Sequence, residues 1–265
     1  MMFPIGEQPE FIKDINEVDT TLVEIAIQGK TKNLEKLEDF QHLEKVWLFK
    51  VNQAEFDLIF SFIRPKILYI YEMKVERLAS IEQLSSTEQI HMCWNTKADK
   101  LWDLSKNAAL KTLSIEDFKK LNSVYELQYN TAIESLRLSG GVWNTLSIDT
   151  LEPLKGMTRL NSLSLLNIRV RDESLEPLTQ IKSLSNLTLS NQFPTEEYAK
   201  LSIALADTKC DYFQPYVVLD DTIDGKDIMV IGKRKPFLNS VADKKKLEKY
   251  TSQFKAFQEK FIRLS

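Results

Sequence analysis

A histidine, a cysteine and a glutamate in the middle of the chain have side chains that could do chemistry together. His91 and Cys93 are two residues apart, and Glu116 follows in a second apolar stretch. If both stretches are strands, His91 and Cys93 share one face with their Cβ atoms about 6.6 Å apart, and Glu116 lies on the next strand. A catalytic thiol needs a base within hydrogen-bonding distance, and no glycine-rich turn accompanies these residues. We therefore predict that the chain is not an enzyme. An enzyme or small-ligand binder using this region is the alternative.

The sequence lacks the patterns that bind metals or nucleotides. Its two histidines are at 42 and 91 and its two cysteines at 93 and 210, so no CxxC or HxxxH spacing occurs. Seven glycines in 265 residues leave little material for a phosphate-binding loop, and no P-loop or dinucleotide-binding glycine pattern is present. We expect no metal and no cofactor.

Eight stretches of the sequence share one spacing of apolar residues. The elements that they form would position the side chains of any site. The clearest pair is LNSLSLLNI (160–168) and LSNLTLSNQ (184–192), which both contain Leu-x-x-Leu-x-Leu. Between the stretches, apolar residues recur at every third position, as at Leu175, Leu178 and Ile181, which favours 3-10 turns or very short helices. The frame recurs at intervals of 21 to 27 residues, beginning at residues 22, 43, 65, 87, 110, 133, 160 and 184.

This repeat resembles the leucine-rich-repeat family over residues 20–195. The resemblance implies an α/β solenoid, a right-handed arc of about eight repeats with a parallel sheet on its concave face and compact convex segments. The family usually carries Asn or Cys eight residues after each frame begins, where the side chain bonds the backbone of the turn. Here only Asn95 matches. We therefore expect the other turns to be stabilised in another way.

The repeat divides the chain into three parts. We predict an N-terminal cap over residues 1–20, the solenoid over 21–208, and a C-terminal cap over 209–265 that consists of a β-hairpin and a long helix. A helix is expected at 196–208, strands are expected at 216–219 and 228–231, and the last helix should begin after Asp243. The apolar residues of the N-terminal cap are Phe3, Ile5, Phe11 and Ile12. The last helix carries an apolar stripe that should cover the end of the solenoid, or else bind a partner helix: Leu247, Tyr250, Phe254, Phe257, Phe261 and Leu264.

In such a solenoid, the residues between the consensus apolar positions point out of the concave face. Repeats two and three place aromatic side chains there, whereas repeats five to eight place mainly Ser, Thr and Asn. Four half-covered rings would present roughly 300–500 Å² of apolar surface, which is typical of an interaction site. Simple stacking, a cover formed by the N-terminal segment, and a carbohydrate or other small ligand on the rings are alternatives. We predict a non-catalytic module that binds an unidentified protein partner at Trp47, Phe49, Ile67, Tyr69, Tyr71, His91 and Arg137.

Charge and hydropathy narrow the choice of partners. Thirty-five basic and 38 acidic residues give a net charge of −3, so no overall positive field favours nucleic acid or a membrane. Basic runs at 232–237 and 243–249 leave a phosphate-rich partner as an alternative. No secretory signal and no run of 18 apolar residues is visible, and two cysteines suit a reducing compartment. We therefore predict a cytoplasmic monomer.

The sixth repeat contains an insertion in SGGVWNTLS (139–147). Its glycine pair permits a turn. We expect Trp143 to pack back over this irregular turn. The alternative is that the indole stands at the rim of the sheet and extends a binding surface beside Arg137.

Overall fold

The computed structural model describes residues 4–264 of the chain. Phe3 and the side chain of Leu264, which the sequence assigns to the two caps, lie outside what is described. In chain order the strands are β1 (Phe11–Asp14), β2 (Glu24–Lys32), β3 (Lys45–Phe49), β4 (Ile67–Met73), β5 (Gln89–Asn95), β6 (Thr112–Phe118), β7 (Ser135–Ser139), β8 (Leu146–Ile148), β9 (Ser162–Leu166), β10 (Ile168–Val170), β11 (Asn186–Leu189), β12 (Tyr216–Ile223), β13 (Lys226–Val230) and β14 (Phe237–Leu238). The helices are α1 (Gln53–Phe62), α2 (Thr195–Ala204) and α3 (Lys244–Leu264).

Nine of these strands form one parallel sheet in the order β1-β2-β3-β4-β5-β6-β7-β9-β11. The register matches the predicted frame residue for residue, since Val46 pairs with Leu68 and Leu48 pairs with Ile70. These four side chains are fully buried in one continuous core. Burial of each such side chain stabilises the fold by roughly 1.5–3 kcal/mol. The predicted parallel sheet and repeat frame are therefore confirmed.

Short 3-10 turns form most of the convex side, as the period of three predicts. They include Leu34–Asp39, Ala79–Gln83, Leu104–Lys106, Tyr125–Tyr129, Glu152–Leu154 and Glu176–Gln180.

Helix α1 is an exception to the short convex turns. Asn52 accepts hydrogen bonds from the backbone N–H groups of Ala54 and Glu55, and the Glu55 carboxylate accepts from the backbone of Asn52. This reciprocal cap satisfies N–H groups that a helix start otherwise leaves free, so a full helix forms here. The sequence NQAE carried this signal, and the expectation of only short convex segments missed it.

Asn95 stabilises its turn as the family pattern predicts. Its side-chain amide donates to the carbonyl of Val75 at 2.8 Å, and its Oδ1 accepts from the backbone N–H groups of Lys97 and Ala98 at 2.7 and 2.9 Å. Asn95 is fully buried, so these bonds satisfy backbone groups that no water reaches.

A second set of buried or half-buried side chains links consecutive turns of the chain, near the start of four strand frames and once after the last frame. Asn107 donates to the carbonyls of Ile81 and Leu84 at 2.9 and 3.0 Å. Asn130 repeats the arrangement one turn later, donating to Leu104 at 3.2 Å and to Asn107 at 2.8 Å. In three further repeats a hydroxyl does the same: Thr87 donates to Pro65, Ser183 to Leu160 and Thr208 to Leu184. Only Asn95 occupies the Asn position of the family pattern, and these bonds stabilise other turns of the chain.

The C-terminal elements cover the last repeat. Helix α2 ends four residues earlier than predicted, and the expected hairpin gains a third, short strand, β14. Phe254 of α3 is buried in the main core, while Leu247 packs with Ile228, Val230 and Leu238 in a smaller cluster. Four residues of the predicted stripe therefore pack against the chain's own elements: Leu247, Tyr250, Phe254 and Phe257. The three-part division of the chain stays a prediction.

The first strand extends the sheet beyond the eight predicted repeats. Phe11 of β1 pairs with Ala26 of β2 in parallel register. The segment that the sequence assigns to a cap thus contributes a ninth strand. Within residues 4–264, every helix is too short or too polar to cross a bilayer.

Candidate functional site

The sheet aligns the predicted binding residues in rows. Trp47 pairs with Tyr69 and Tyr69 with His91, and the same row continues through Ser114 to Arg137. In the adjacent row, Phe49 lies beside Tyr71 and Tyr71 beside Cys93. All of these side chains leave the sheet on the face opposite the main core, because their strand neighbours fill that core.

The aromatic rings of these rows form a second, smaller core. Trp47 stacks on Tyr69 with ring centroids 4.1 Å apart, and Tyr69 stacks on His91 at 4.8 Å. In the next row, Phe49 lies 5.6 Å from Tyr71. Trp47 is only 1% exposed and Phe49 only 7%, whereas Tyr69 and Tyr71 are partly exposed. We name Trp47, Phe49, Tyr69, Tyr71 and His91 the aromatic cluster.

Part of the cover comes from the first strand. The Phe11 ring meets Phe49 edge-on at 4.9 Å, and it packs against the same small core as Ala26. The open apolar patch of several hundred Å² is therefore not present as an exposed surface. Ile67, Tyr69 and Tyr71 are each partly exposed.

Polar groups fix the edge of the aromatic cluster. The indole Nε1 of Trp47 donates to a Glu24 carboxylate oxygen at 2.7 Å, and Lys45 forms an ion pair with that same oxygen at 3.1 Å. The Lys45 ammonium also lies 5.8 Å from the Trp47 ring centroid, within the range of a cation–π contact. A buried indole N–H costs free energy unless it is bonded, so Glu24 is what permits Trp47 to be buried here.

His91 and Cys93 lie on β5, and Glu116 lies beside Cys93 on β6. Burial lowers the pKa of His91 to about 4, and it raises the pKa of Cys93 to about 12. The Glu116 carboxylate pairs with the Arg137 guanidinium at 3.1 Å. A protonated thiol beside a neutral imidazole is a weak nucleophile, because the thiolate is the reactive form.

We expect both cysteines to react slowly in the folded protein. Burial raises the pKa of Cys210 to about 11, so at pH 8 neither thiol is appreciably ionised. Labelling with a disulfide reagent such as DTNB should therefore be at least about tenfold slower in buffer than in urea, where ordinary thiol pKa values return. A fast-reacting thiol in the folded state would revive the enzyme alternative.

The part of the concave face beyond the aromatic cluster is polar. Arg137 donates to the Ser164 hydroxyl at 3.3 Å while it pairs with Glu116. Ser114 and Ser139 are small and buried, so the floor of this part is made of short side chains. Arg137 thus stands in a region where a partner's polar groups can approach the sheet.

The rim loop, residues 140–145, holds Trp143 away from the protein. Its indole is 92% exposed, so the expectation that it packs over the turn is wrong. The turn needs no such cover, because the Asn167 side chain donates to the carbonyls of Gly141 and Asn144 at 2.7 and 3.1 Å. A Cβ on Gly140 would lie 2.4 Å from two backbone carbonyl oxygens, so the close approach requires glycine.

Among residues 4–264, no group of three His, Cys, Asp or Glu side chains is arranged to hold a metal ion.

No family model matches the sequence of this chain, and no curated protein matches it. Among solved structures, it is similar to internalin C2 of Listeria monocytogenes, with a TM-score of 0.49 and 18% identity over 66% of this chain and 72% of that one. It is also similar to a second Listeria monocytogenes internalin, inlF, with a TM-score of 0.47, 13% identity, and coverage of 70% of this chain and 66% of that one. For a leucine-rich-repeat protein of Leptospira interrogans the TM-score is 0.32, with 15% identity over 72% of this chain and 65% of that one.

The geometry of the chain itself identifies its architecture. Consecutive frames pair in parallel register, apolar frame positions fill one core, and 3-10 turns form most of the return segments. Asn95 and the buried side chains near the frame starts then join one repeat to the next. The chain is therefore a leucine-rich-repeat solenoid with a C-terminal β-sheet and helix packed on its end.

Proposed function

We propose that this chain is a non-catalytic protein-binding module whose partner contacts the concave face. The observation that carries the proposal is that Ile67, Tyr69 and Tyr71, alternate residues of strand β4, are all partly exposed on the concave face. Tyrosines at interfaces bury a large area and lose little side-chain entropy, especially where neighbouring rings already fix their rotamers. The buried rings of Trp47 and Phe49 support these side chains from the neighbouring strand.

Arg137 gives the proposed surface a polar anchor. Its guanidinium is held by Glu116 and Ser164, so little ordering is needed when a partner's acceptor approaches. His91 lies between the tyrosines and Arg137 in the same register row, and its low pKa keeps it uncharged near neutral pH. The surface therefore combines aromatic edges at one end with a fixed cation at the other, a composition typical of interface hot spots.

We expect Tyr71→Ser to weaken partner capture by about tenfold or more, because interface tyrosines commonly contribute more than 1–2 kcal/mol. The tagged chain and the variant are compared in a lysate of the native cells, with captured proteins quantified by mass spectrometry. The matched control is Tyr125→Ser, since Tyr125 is an exposed tyrosine on a convex turn. Equal losses for both variants, or no loss for Tyr71→Ser while the fold is retained, would contradict the concave-face proposal.

The absence of a cofactor, the monomeric state and the cytoplasmic location stay predictions from the sequence. The small-ligand alternative at His91, Cys93 and Glu116 has no support from the geometry, because Glu116 is committed to Arg137 and the Cys93 thiol is protonated.

A further inference from the structure

A cavity of about 410 Å³ lies beside the strand pair β8–β10. Buried apolar side chains of Ile168, Val170 and Phe193 contribute to its wall. Its other side is formed by Lys233 and Arg234, which lie in a turn after β13. The cavity therefore has an apolar floor and a charged border.

Three cations and one carboxylate line this cavity. Lys233 forms an ion pair with Glu173, and the nearby charges of Arg169 and Arg234 also help to hold the pKa of Glu173 below its usual value. The site thus carries a surplus of two positive charges at neutral pH. Arg169 and Arg234 are exposed and Lys233 is half-buried, so salt and solvent screen the field of these charges.

Hydrogen bonds to the end of the solenoid fix the position of the cationic turn. The Asn191 side chain accepts from the backbone N–H of Gly232 at 2.6 Å, and the Thr195 hydroxyl donates to the carbonyl of Ile231 at 2.9 Å. The backbone N–H of Lys233 donates to the carbonyl of Phe193 at 2.7 Å. Gly232 has φ +131° and its Cα lies against Thr195, so this turn has one specific shape.

The rim loop borders the same cavity. Thr145 lines it, and Val142 and Trp143 project into solvent from the same loop. Hydrogen bonds from Asn167 and close contacts at the glycine pair fix the shape of the loop. The loop therefore holds these two apolar side chains in one position. The cationic cavity and an exposed indole therefore occur within one short stretch of surface.

We infer that this cavity binds an acidic peptide segment of a partner protein. A Glu or Asp carboxylate of the segment enters among Arg169, Lys233 and Arg234, and an adjacent apolar residue packs against Trp143. This cavity shares no residue with the proposed concave-face site, and the inference does not depend on the role proposed for that face.

Two observations favour a peptide over a phosphate-rich ligand. Glu173 already places a carboxylate beside Lys233, which shows the kind of acceptor that these cations bind. The exposed apolar side chains of Val142 and Trp143 can pack against an apolar residue of a peptide, whereas a hydrated phosphate offers no such surface.

The inference is tested with fluorescein-labelled nonapeptides that contain two adjacent Glu residues beside one Leu. Matched peptides carry Gln in place of Glu. The Glu peptides should bind the intact chain and weaken steeply as salt rises, and the Gln peptides should not bind. In the double variant R169Q and R234Q, affinity should fall by about tenfold or more, because charge-assisted hydrogen bonds are lost.

Two further variants separate the site from general charge effects. Arg159→Gln removes the same charge before the start of β9, where Arg159 pairs with Glu134, and should change affinity by less than about twofold. Glu173→Gln removes the competing carboxylate and should tighten binding of the Glu peptides.

The inference is overturned by equal binding of Glu and Gln peptides, by no peptide binding at all, or by an equal loss in Arg159→Gln. Saturable binding of inorganic phosphate or of a labelled oligonucleotide, with no binding of the Glu peptides, would assign the cavity to a phosphate ligand instead.

Discussion

Replacing Trp47 with alanine is expected to lower the free energy of unfolding by about 3–5 kcal/mol, the usual cost of deleting a large buried ring. The indole is 1% exposed, stacks on Tyr69 at 4.1 Å and donates to Glu24 at 2.7 Å. Its loss leaves a cavity and removes one of the two partners of the Glu24 carboxylate, the other being Lys45. Urea denaturation followed by circular dichroism measures the change.

Trp143→Ala is the matched control, since it deletes the same side chain at a position that is 92% exposed. Its free energy of unfolding should change by less than about 0.5 kcal/mol. If the two variants lose similar stability, Trp47 is not buried in solution, and the description of the aromatic cluster as a second core is wrong.

The second large effect is expected at Asn107. Its side chain is fully buried, donates to the carbonyls of Ile81 and Leu84, and accepts from the indole of Trp102 at 2.6 Å. Asn107→Ala leaves these three groups without their partner, which should cost about 2–5 kcal/mol, because an unsatisfied buried polar group costs about 1–3 kcal/mol. The same urea measurement detects it.

Asn161→Ala is the control for this substitution. Asn161 is exposed, and its side chain donates only to the Ser185 hydroxyl. Its free energy of unfolding should change by about 0.5 kcal/mol or less. A loss at Asn107 no larger than this would mean that the bonds between repeats contribute little to stability.

The repeat frame was predictable because its apolar positions recur in a chain with few other patterns. Val46 and Leu48 were assigned to the core from the frame, and the register with Leu68 and Ile70 agrees. A parallel sheet buries the same frame positions in each repeat, so one correctly aligned pair of repeats fixes the rest.

The burial of the aromatic cluster was not predictable from the frame. Alternation assigns Trp47 to the concave face, but it does not reveal what lies on that face. Part of the cover is Phe11, which comes from a strand outside the eight frames, and the polar partner of the indole is Glu24. Contacts between distant segments of the chain decide exposure, and a local pattern carries no information about them.

The residues that form the bonds between repeats can be recognised in the sequence, but they do not lie at the Asn position of the family pattern. Asn107 and Asn130 each stand three residues before a frame, at Leu110 and Ile133. Their spacing equals the repeat length, so a search at every offset would have found them. The proximity of Arg169 to the basic run at 232–237 could not be predicted from the sequence, because it depends on how the last repeats pack.

The central claim, that a protein partner contacts the concave face, is tested most directly by photo-crosslinking. Benzoylphenylalanine is placed at Tyr71 on the concave face and, as a control, at Tyr125 on the convex side; both replace one aromatic ring with another. Ultraviolet irradiation in a lysate of the native cells should give a discrete crosslinked species from position 71 and none from position 125. Crosslinking from position 125 alone, or from neither position, would contradict the claim.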